Sequence, residues 1–395
     1  MEHKFQLDLT DMPKELKVLL ELIKDNNDQN IHQHKNEWFA NLNWDYFLKL
    51  AMHHRIYPQV YLKIKEVVSE LIPVSVLQTL KAEYEKNTFR MLYLSKEMER
   101  ISKLFTENQI RSLFLKGPVV AHDLYGDISL RTSKDLDILI PEFQLSKAES
   151  LLLKEGYEKE EVSTLLNEIK WRQYHIVYFH PEKKIQIEIH WRLNPRPIKE
   201  PEFENLWGRR RMSSLTTHPV SFLGKEDLFL YLTAHGARHG WFRLRWLKDI
   251  DQMCRCEMDY KKVDFFIKEY QHQRVVGQAL VLNSELFSSS LNPILESVPK
   301  NNISTKLAQS AIYYIRDITH IYGVGSEEVL KYHRRYLFSL KSIRQKIFFM
   351  IISFYPSSSD KAVLALPKKL HFLYFPLRPL LWTSRKFKSF KPLKK

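Results

Sequence analysis

Glycine is scarce in this chain of 395 residues, with only ten in all. So few leave little room for long glycine-rich phosphate cradles, and neither GxGxxG nor GxxxxGK[ST] occurs, which excludes dinucleotide-binding and P-loop readings. The backbone rarely needs positive φ, so helices should dominate. Cysteine is rarer still. Cys254 and Cys256 are separated by one residue, cannot tie distant segments together, and suit a reducing compartment. Long hydrophobic runs are also missing: Ile347 to Tyr355 covers about half of the roughly 20 residues a membrane-crossing helix needs. The opening stretch MEHKFQLDLTDMPKEL has no apolar core of the kind a secretory leader carries. A cytoplasmic protein is the expectation.

Acids are nearly absent from the C-terminal stretch. From Lys331 to Lys395 there are 16 Lys or Arg against the single acid Asp360, whereas the preceding residues hold 45 of each sign. The net charge of +15 therefore belongs to the tail. Elsewhere the composition, 44% hydrophobic and 27% charged, is that of a globular protein long enough for two or three structural units.

Residues 12–95 carry apolar side chains three or four apart, as in ELKVLLELIKD and WDYFLKLAMHHRIYPQVYLKIKEVV, and read as helices with Pro58 as a breaker. A further helical run spans Tyr84 to Asn108. The period then changes. RSLFLK (111–116) is a short apolar strand stopping at Gly117-Pro118 and followed by a helix, and DLDILI (135–140) alternates strictly. Leu136, Ile138 and Ile140 fall on one face of that strand, Asp135, Asp137 and Leu139 on the other. A helix over about 143–155 is closed by Gly156. Residues 174–180 and 185–192 pair around PEKK, the second strand alternating Ile185, Ile187, Ile189 against Gln186, Glu188, His190. Beyond a linker with Pro195, Pro197 and Pro201, helical spacing returns. The expected division is a helical region over 1–95, an α/β unit over 96–200, a helical region over 201–330 and a basic aromatic tail over 331–395.

Two aspartates at i and i+2 on a strand stand on one face about 6.6 Å apart, close enough to converge on a hard cation, and Mg²⁺ takes one or two carboxylates together with substrate phosphates. Without a cation the carboxylates raise one another's pKa. Glu188, on the polar face of a later strand, is the third acid, and three carboxylates can hold two ions.

The run FLKGPVVAHDLYGDISLRTSKDLDILI resembles the signature of the polymerase-β-type nucleotidyltransferase superfamily: a strand, a Lys-Gly turn, a helix, then an Arg shortly before Asp-x-Asp. More closely, it resembles the bacterial group often labelled uncharacterised nucleotidyltransferases, which shows LKG, R-x-x-x-D-x-D and a later acid-x-His-Trp. The resemblance is strong over about 110–195 and reaches weakly to His235, His239 and Asp249. It implies an α/β (α+β) fold with a small mixed-sheet core flanked by helical regions. It further implies Mg²⁺ (or Mn²⁺) on Asp135, Asp137 and Glu188, with Glu188 aiding deprotonation of an acceptor, and phosphate contacts from Lys116, Gly117 and Arg131. His190 would position the acceptor or cap its strand. The substrate would be a nucleoside triphosphate and the acceptor a small molecule or peptide, as in natural-product pathways. Pro118 departs from the family's Gly or Ser and removes an N–H donor, and Glu188 stands where Asp is usual.

Other readings compete. An RNA-modifying toxin of the same fold, or an inactive nucleotide-binding protein, fits the same motif. Asp249 and Asp251 repeat the Asp-x-Asp spelling, but Trp241, Leu244, Leu247 and Ile250 recur every three residues, so these acids sit on a helix and diverge. A place on the helix surface, or buried pairing with Arg243 or Arg245, is expected for them, with little effect from Asp251→Asn. His235 and His239 above Cys254 and Cys256 invite a zinc reading, against packing or substrate contact. Trp191 reads as core. The tail, HFLYFPLRPLLWTSRKFKSFKPLKK, suits an anionic membrane surface, a nucleic-acid backbone, or a helical extension packed on the body.

Overall fold

The structure is a computed structural model that describes residues 5–160, 173–300, 302–319 and 326–389. Five helices come first: α1 (Lys14–Ile23), α2 (Asp28–Phe39), α3 (Trp44–His54), α4 (Tyr57–Val67) and α5 (Val74–Glu107). The break between α3 and α4 is made by Arg55, which adopts the left-handed conformation at φ 56°. Pro58 lies in the first turn of α4, where a missing N–H costs the helix nothing. The helix read from Tyr84 begins ten residues earlier, directly after Pro73.

The α/β part follows as β1 (Leu113–Phe114), α6 (Pro118–Tyr125), β2 (Asp135–Leu139), α7 (Leu145–Lys154), β3 (Glu158–Lys159), β4 (His175–His180) and β5 (Ile185–His190). After α8 (Phe203–Gly208) come β6 (Arg211–Ser213) and β7 (Val220–Phe222), then α9 (Lys225–Arg238), α10 (Leu244–Arg255), α11 (Tyr260–Glu269), α12 (Gln273–Phe287) and α13 (Asn302–Ile315). The tail holds α14 (Glu327–Ser339), α15 (Ile343–Ser353), α16 (Ser358–Val363) and α17 (Tyr374–Ser389).

The described strands form one mixed sheet in the order β3-β4-β5-β2-β1-β7-β6. β2 runs parallel to β5 and antiparallel to β1, and β1 in turn runs parallel to β7 through Phe114 and Phe222. The edge formed by β6 and β7 comes from residues assigned by periodicity to the C-terminal helical region. Three-residue strands are too short to show a period of two. Buried apolar side chains from Leu7 to Tyr336 form one continuous core, so N-terminal helices, sheet and C-terminal helices are packed together. Tyr374 and Leu381 make a small separate cluster within the tail.

Candidate metal and nucleotide site

The acids are brought together by strand register. Asp137 of β2 lies opposite Glu188 of β5 and Leu139 opposite His190, while His175 of β4 lies opposite His190. Residues directly opposite in a ladder share a face, so Asp135, Asp137, Glu188, His190 and His175 all project to one side. The other side is anchored by Leu136, Ile138, Ile187 and Ile189, which are buried in the core. The alternation visible in DLDILI and IQIEIH thus sets an apolar underside and a polar top.

On that top, His190 Nε2 lies 3.3 Å from Asp137 Oδ1 and 3.4 Å from Glu188 Oε2. His175 Nε2 lies 3.8 Å from Glu188 Oε2, and the two imidazoles stack with centroids 4.9 Å apart. Lys116 Nζ reaches Asp137 Oδ1 at 2.9 Å. Its turn is made by Gly117, whose φ of 87° disfavours a side chain; Pro118 is the first residue of α6. Burial and the adjacent Asp137 push the Asp135 carboxyl up. At Asp137 burial acts upward too, but Lys116 and His190 outweigh it and hold the carboxyl well below the usual range. Burial pushes the His175 imidazole down to about 4, helped by His190.

A divalent cation fits these donors. Two ligand atoms each about 2.1 Å from one ion stand roughly 3.0 to 3.4 Å apart, close to the spacings around His190 and Glu188. Asp137 Oδ2 is buried and receives no hydrogen bond. Among the described residues, His175, Glu188 and His190 are the one grouping of three His, Cys, Asp or Glu whose donor atoms fall within 4.8 Å of one another.

Above the acids is a cavity of about 330 Å³. Larger hollows, such as one of about 850 Å³ beside α1, lie away from the carboxylates, so size does not mark the site here. The cavity lining is rich in cations: Arg55, Lys134, Arg238, Arg243 and Arg245 line it together with Lys116 and Arg131. Burial and neighbouring guanidiniums pull Arg55 and Arg243 to about 10 and Arg245 to about 9, so all three remain charged at neutral pH. The Nε atoms of Arg243 and Arg245 are buried without a hydrogen-bond acceptor. Buried charge of one sign in excess is unfavourable by itself and suits a polyanion. Trp246, with Phe242 at 5.0 Å and His239 at 5.1 Å between ring centroids, forms an aromatic wall beside it.

Not every expected residue faces a ligand. Arg131, 1% exposed, is held in a bidentate pair by Asp249 at 3.0 Å, leaving Nη1 unpartnered. Asp249 therefore pairs with Arg131 rather than with Arg243 or Arg245, and it also accepts from Tyr125 at 2.9 Å. The second Asp-x-Asp does diverge on a helix: Asp251 points the other way, to Lys248 at 2.7 Å and Ser289 at 2.6 Å. His235 is buried and His239 half-buried on the cavity wall, their pKa values driven well down chiefly by loss of solvent. Cys254 and Cys256 belong to no metal-binding grouping with them. Trp191 is half-buried rather than core and lines a different hollow. Sequence reading missed Arg55, Arg243, Arg245 and His175. Only His175 carried a signal, since it lies on the polar face of a strand paired with that of Glu188.

A sequence profile described as "Uncharacterised nucleotidyltransferase" matches residues 40–288. No curated protein matches the chain. Among solved structures, the antibiotic-resistance factor ANT(2'')-Ia aligns at 11% identity with a TM-score of 0.33, covering 47% of this chain and 92% of its own. A nucleotidyltransferase-like antigen of Paracoccidioides brasiliensis aligns at 12% identity with a TM-score of 0.31, covering 53% of this chain and 97% of its own. At these scores the likeness is slight.

Proposed function

Because the chain belongs to the family of uncharacterised nucleotidyltransferases, we propose that it moves a nucleotidyl group from a nucleoside triphosphate to an acceptor hydroxyl or phosphate, with Mg²⁺ or Mn²⁺ held by Asp135, Asp137 and Glu188. The observation that carries this reading is the register that sets Asp137 opposite Glu188 beneath a wall of unpartnered guanidinium N–H groups. A bound divalent ion would supply charge neutralisation at the phosphates and activation of the attacking oxygen.

The chain's own groups then divide the work. Lys116 balances Asp137 and stands where a phosphate oxygen can share it. Arg55, Arg243 and Arg245 bind the triphosphate and hold it in line, which is most of what such a reaction needs from a protein. Glu188 accepts the acceptor's proton. His190, 3.4 Å from it, keeps that carboxylate oriented, and Trp246 and Phe242 flank the base. The acceptor oxygen forms a bond to the α-phosphorus as the bond to the β-phosphate bridge breaks, releasing pyrophosphate.

A small molecule or peptide is the favoured acceptor, and a reducing, cytoplasmic setting suits the sparse cysteines. On this reading the transferase core is the 96–200 segment extended by β6 and β7, with helical regions on either side supplying cations and aromatics. Pro118 motivates the second reading, a nucleotide-binding protein without turnover; RNA is the alternative acceptor. Incubating the protein with α-labelled triphosphates, Mg²⁺ and cell extract tests the proposal. Transfer of label with pyrophosphate release is expected, and nucleotide binding with neither would leave only the binding reading.

A further inference from the structure

Among the described residues, most of the exposed large apolar side chains lie beyond residue 329. α15 is the extreme case. Ile343, Ile347, Ile351 and Phe354, spaced to fall along one side of the helix, are 72%, 52%, 61% and 60% exposed, and Gln345 is the only buried residue of α15. Phe372, Phe375 and Leu380 extend the apolar character to the segment that leads into and through α17. Apolar side chains arranged as a stripe in water mark a surface with a partner.

The helix is preformed rather than improvised. Ser342 and Gln345 close a capping box at its start, Ser342 Oγ bonds Gln271 at 3.2 Å, and Arg274 donates to Ser339 O at 3.0 Å and to Lys341 O. Eleven residues span about 16 Å, half the roughly 30 Å of a bilayer core, and no described helix is long and apolar enough to cross a membrane.

Charge then selects the partner. The tail from Lys331 carries 16 Lys or Arg and one acid, and that acid, Asp360, is buried in an ion pair with Arg378. A second copy would set one cationic tail against another. Nucleic acid would satisfy the cations and leave the aliphatic stripe in water. An anionic bilayer surface matches both at once: apolar side chains enter the acyl boundary while Lys and Arg meet the headgroups. We infer that residues 343–389 dock this chain peripherally on an anionic lipid surface, with α15 lying in the plane of the interface. Arg344, Gln345 and Phe348 line one hollow with Trp191 and Arg192, which directly follow His190, so the docking helix faces the exit of β5 across that hollow.

Sedimentation of the full chain with phosphatidylcholine vesicles, with and without phosphatidylserine, tests this. Binding is expected only where phosphatidylserine is present. It should weaken with added salt, and drop about tenfold or more in an Ile347→Glu/Ile351→Glu variant. Those side chains are exposed, so the variant's thermal midpoint and nucleotidyl transfer without vesicles should match the parent, which keeps this test separate from the fate of the transferase reading. Equal sedimentation of variant and parent would overturn the inference. So would salt-sensitive retention on RNA without vesicle binding, or a concentration-dependent dimer that the double substitution abolishes.

Discussion

Asp137 and Asp251 are both fully buried, both end an Asp-x-Asp, and are separated by what surrounds them. Asp251 is satisfied by Lys248, Ser289 and Arg255, and removing one partner of a buried pair strands the other. Asp251→Asn is therefore expected to cost about 3 to 5 kcal/mol in urea unfolding, contrary to the mild effect expected from sequence, while the folded fraction keeps its transfer rate. Asp137→Asn also strands a partner, Lys116, and should lower the midpoint too, but its folded fraction should in addition lose at least about a thousandfold in divalent-dependent transfer. Arg243→Met, which deletes a cation whose Nε is unpartnered, should raise the KM for triphosphate about tenfold or more and also lower kcat, since the same group holds the triphosphate in line. Away from the site, Glu97 accepts from Tyr157 at 2.6 Å and pairs with Arg100 and Lys183. Burial opposes its ionisation, but these partners hold the carboxyl down at about 2, against 4.5 for an unperturbed glutamate. Being lower in the folded state, it contributes stability in full above pH 4.5 that is lost as pH falls towards 2. Glu97→Gln should flatten that part of the stability profile.

At the level of elements, what the sequence showed was whatever had a long enough period. DLDILI and IQIEIH alternate because one side of each strand rests on the core, and that same alternation put Asp135, Asp137 and Glu188 on the upper side. The Lys-Gly turn and α6 were legible from Gly117 and Pro118 for the same local reasons. β6 and β7 were not, being three residues each. Nor were Arg55, Arg243 and Arg245: nothing in their own neighbourhoods points to phosphate, and they meet only because the end of α3 and the start of α10 converge over the sheet. His175 needed the register with His190, which a single strand does not reveal. The convergence depends on close packing at Gly236 of α9, where a Cβ would stand 2.2 Å from the Trp241 ring. Gly236→Ala is expected to force α9 away from the loop leading to Arg243, costing about 1 to 3 kcal/mol, with a rise in triphosphate KM measured alongside the unfolding midpoint.

Across the whole molecule, charge is divided by task. One continuous core joins the N-terminal helices, the sheet and the C-terminal helices as far as Tyr336, and Asp135, Asp137 and Glu188 share one cavity with Arg55, Arg243 and Arg245. The net +15 lies on the tail, many of whose large apolar side chains face solvent. The carboxylate face of the sheet is proposed to be an ion-dependent nucleotide site. Titrating Mn²⁺ with nucleoside triphosphate into the parent, Asp137→Asn and Asp251→Asn proteins, with bound Mn²⁺ followed by electron paramagnetic resonance, tests it most directly. The parent and folded Asp251→Asn should bind the ion with matching affinity, and Asp137→Asn should bind at least about tenfold more weakly. Undiminished binding by Asp137→Asn, or equal loss in both variants while folded, would contradict it.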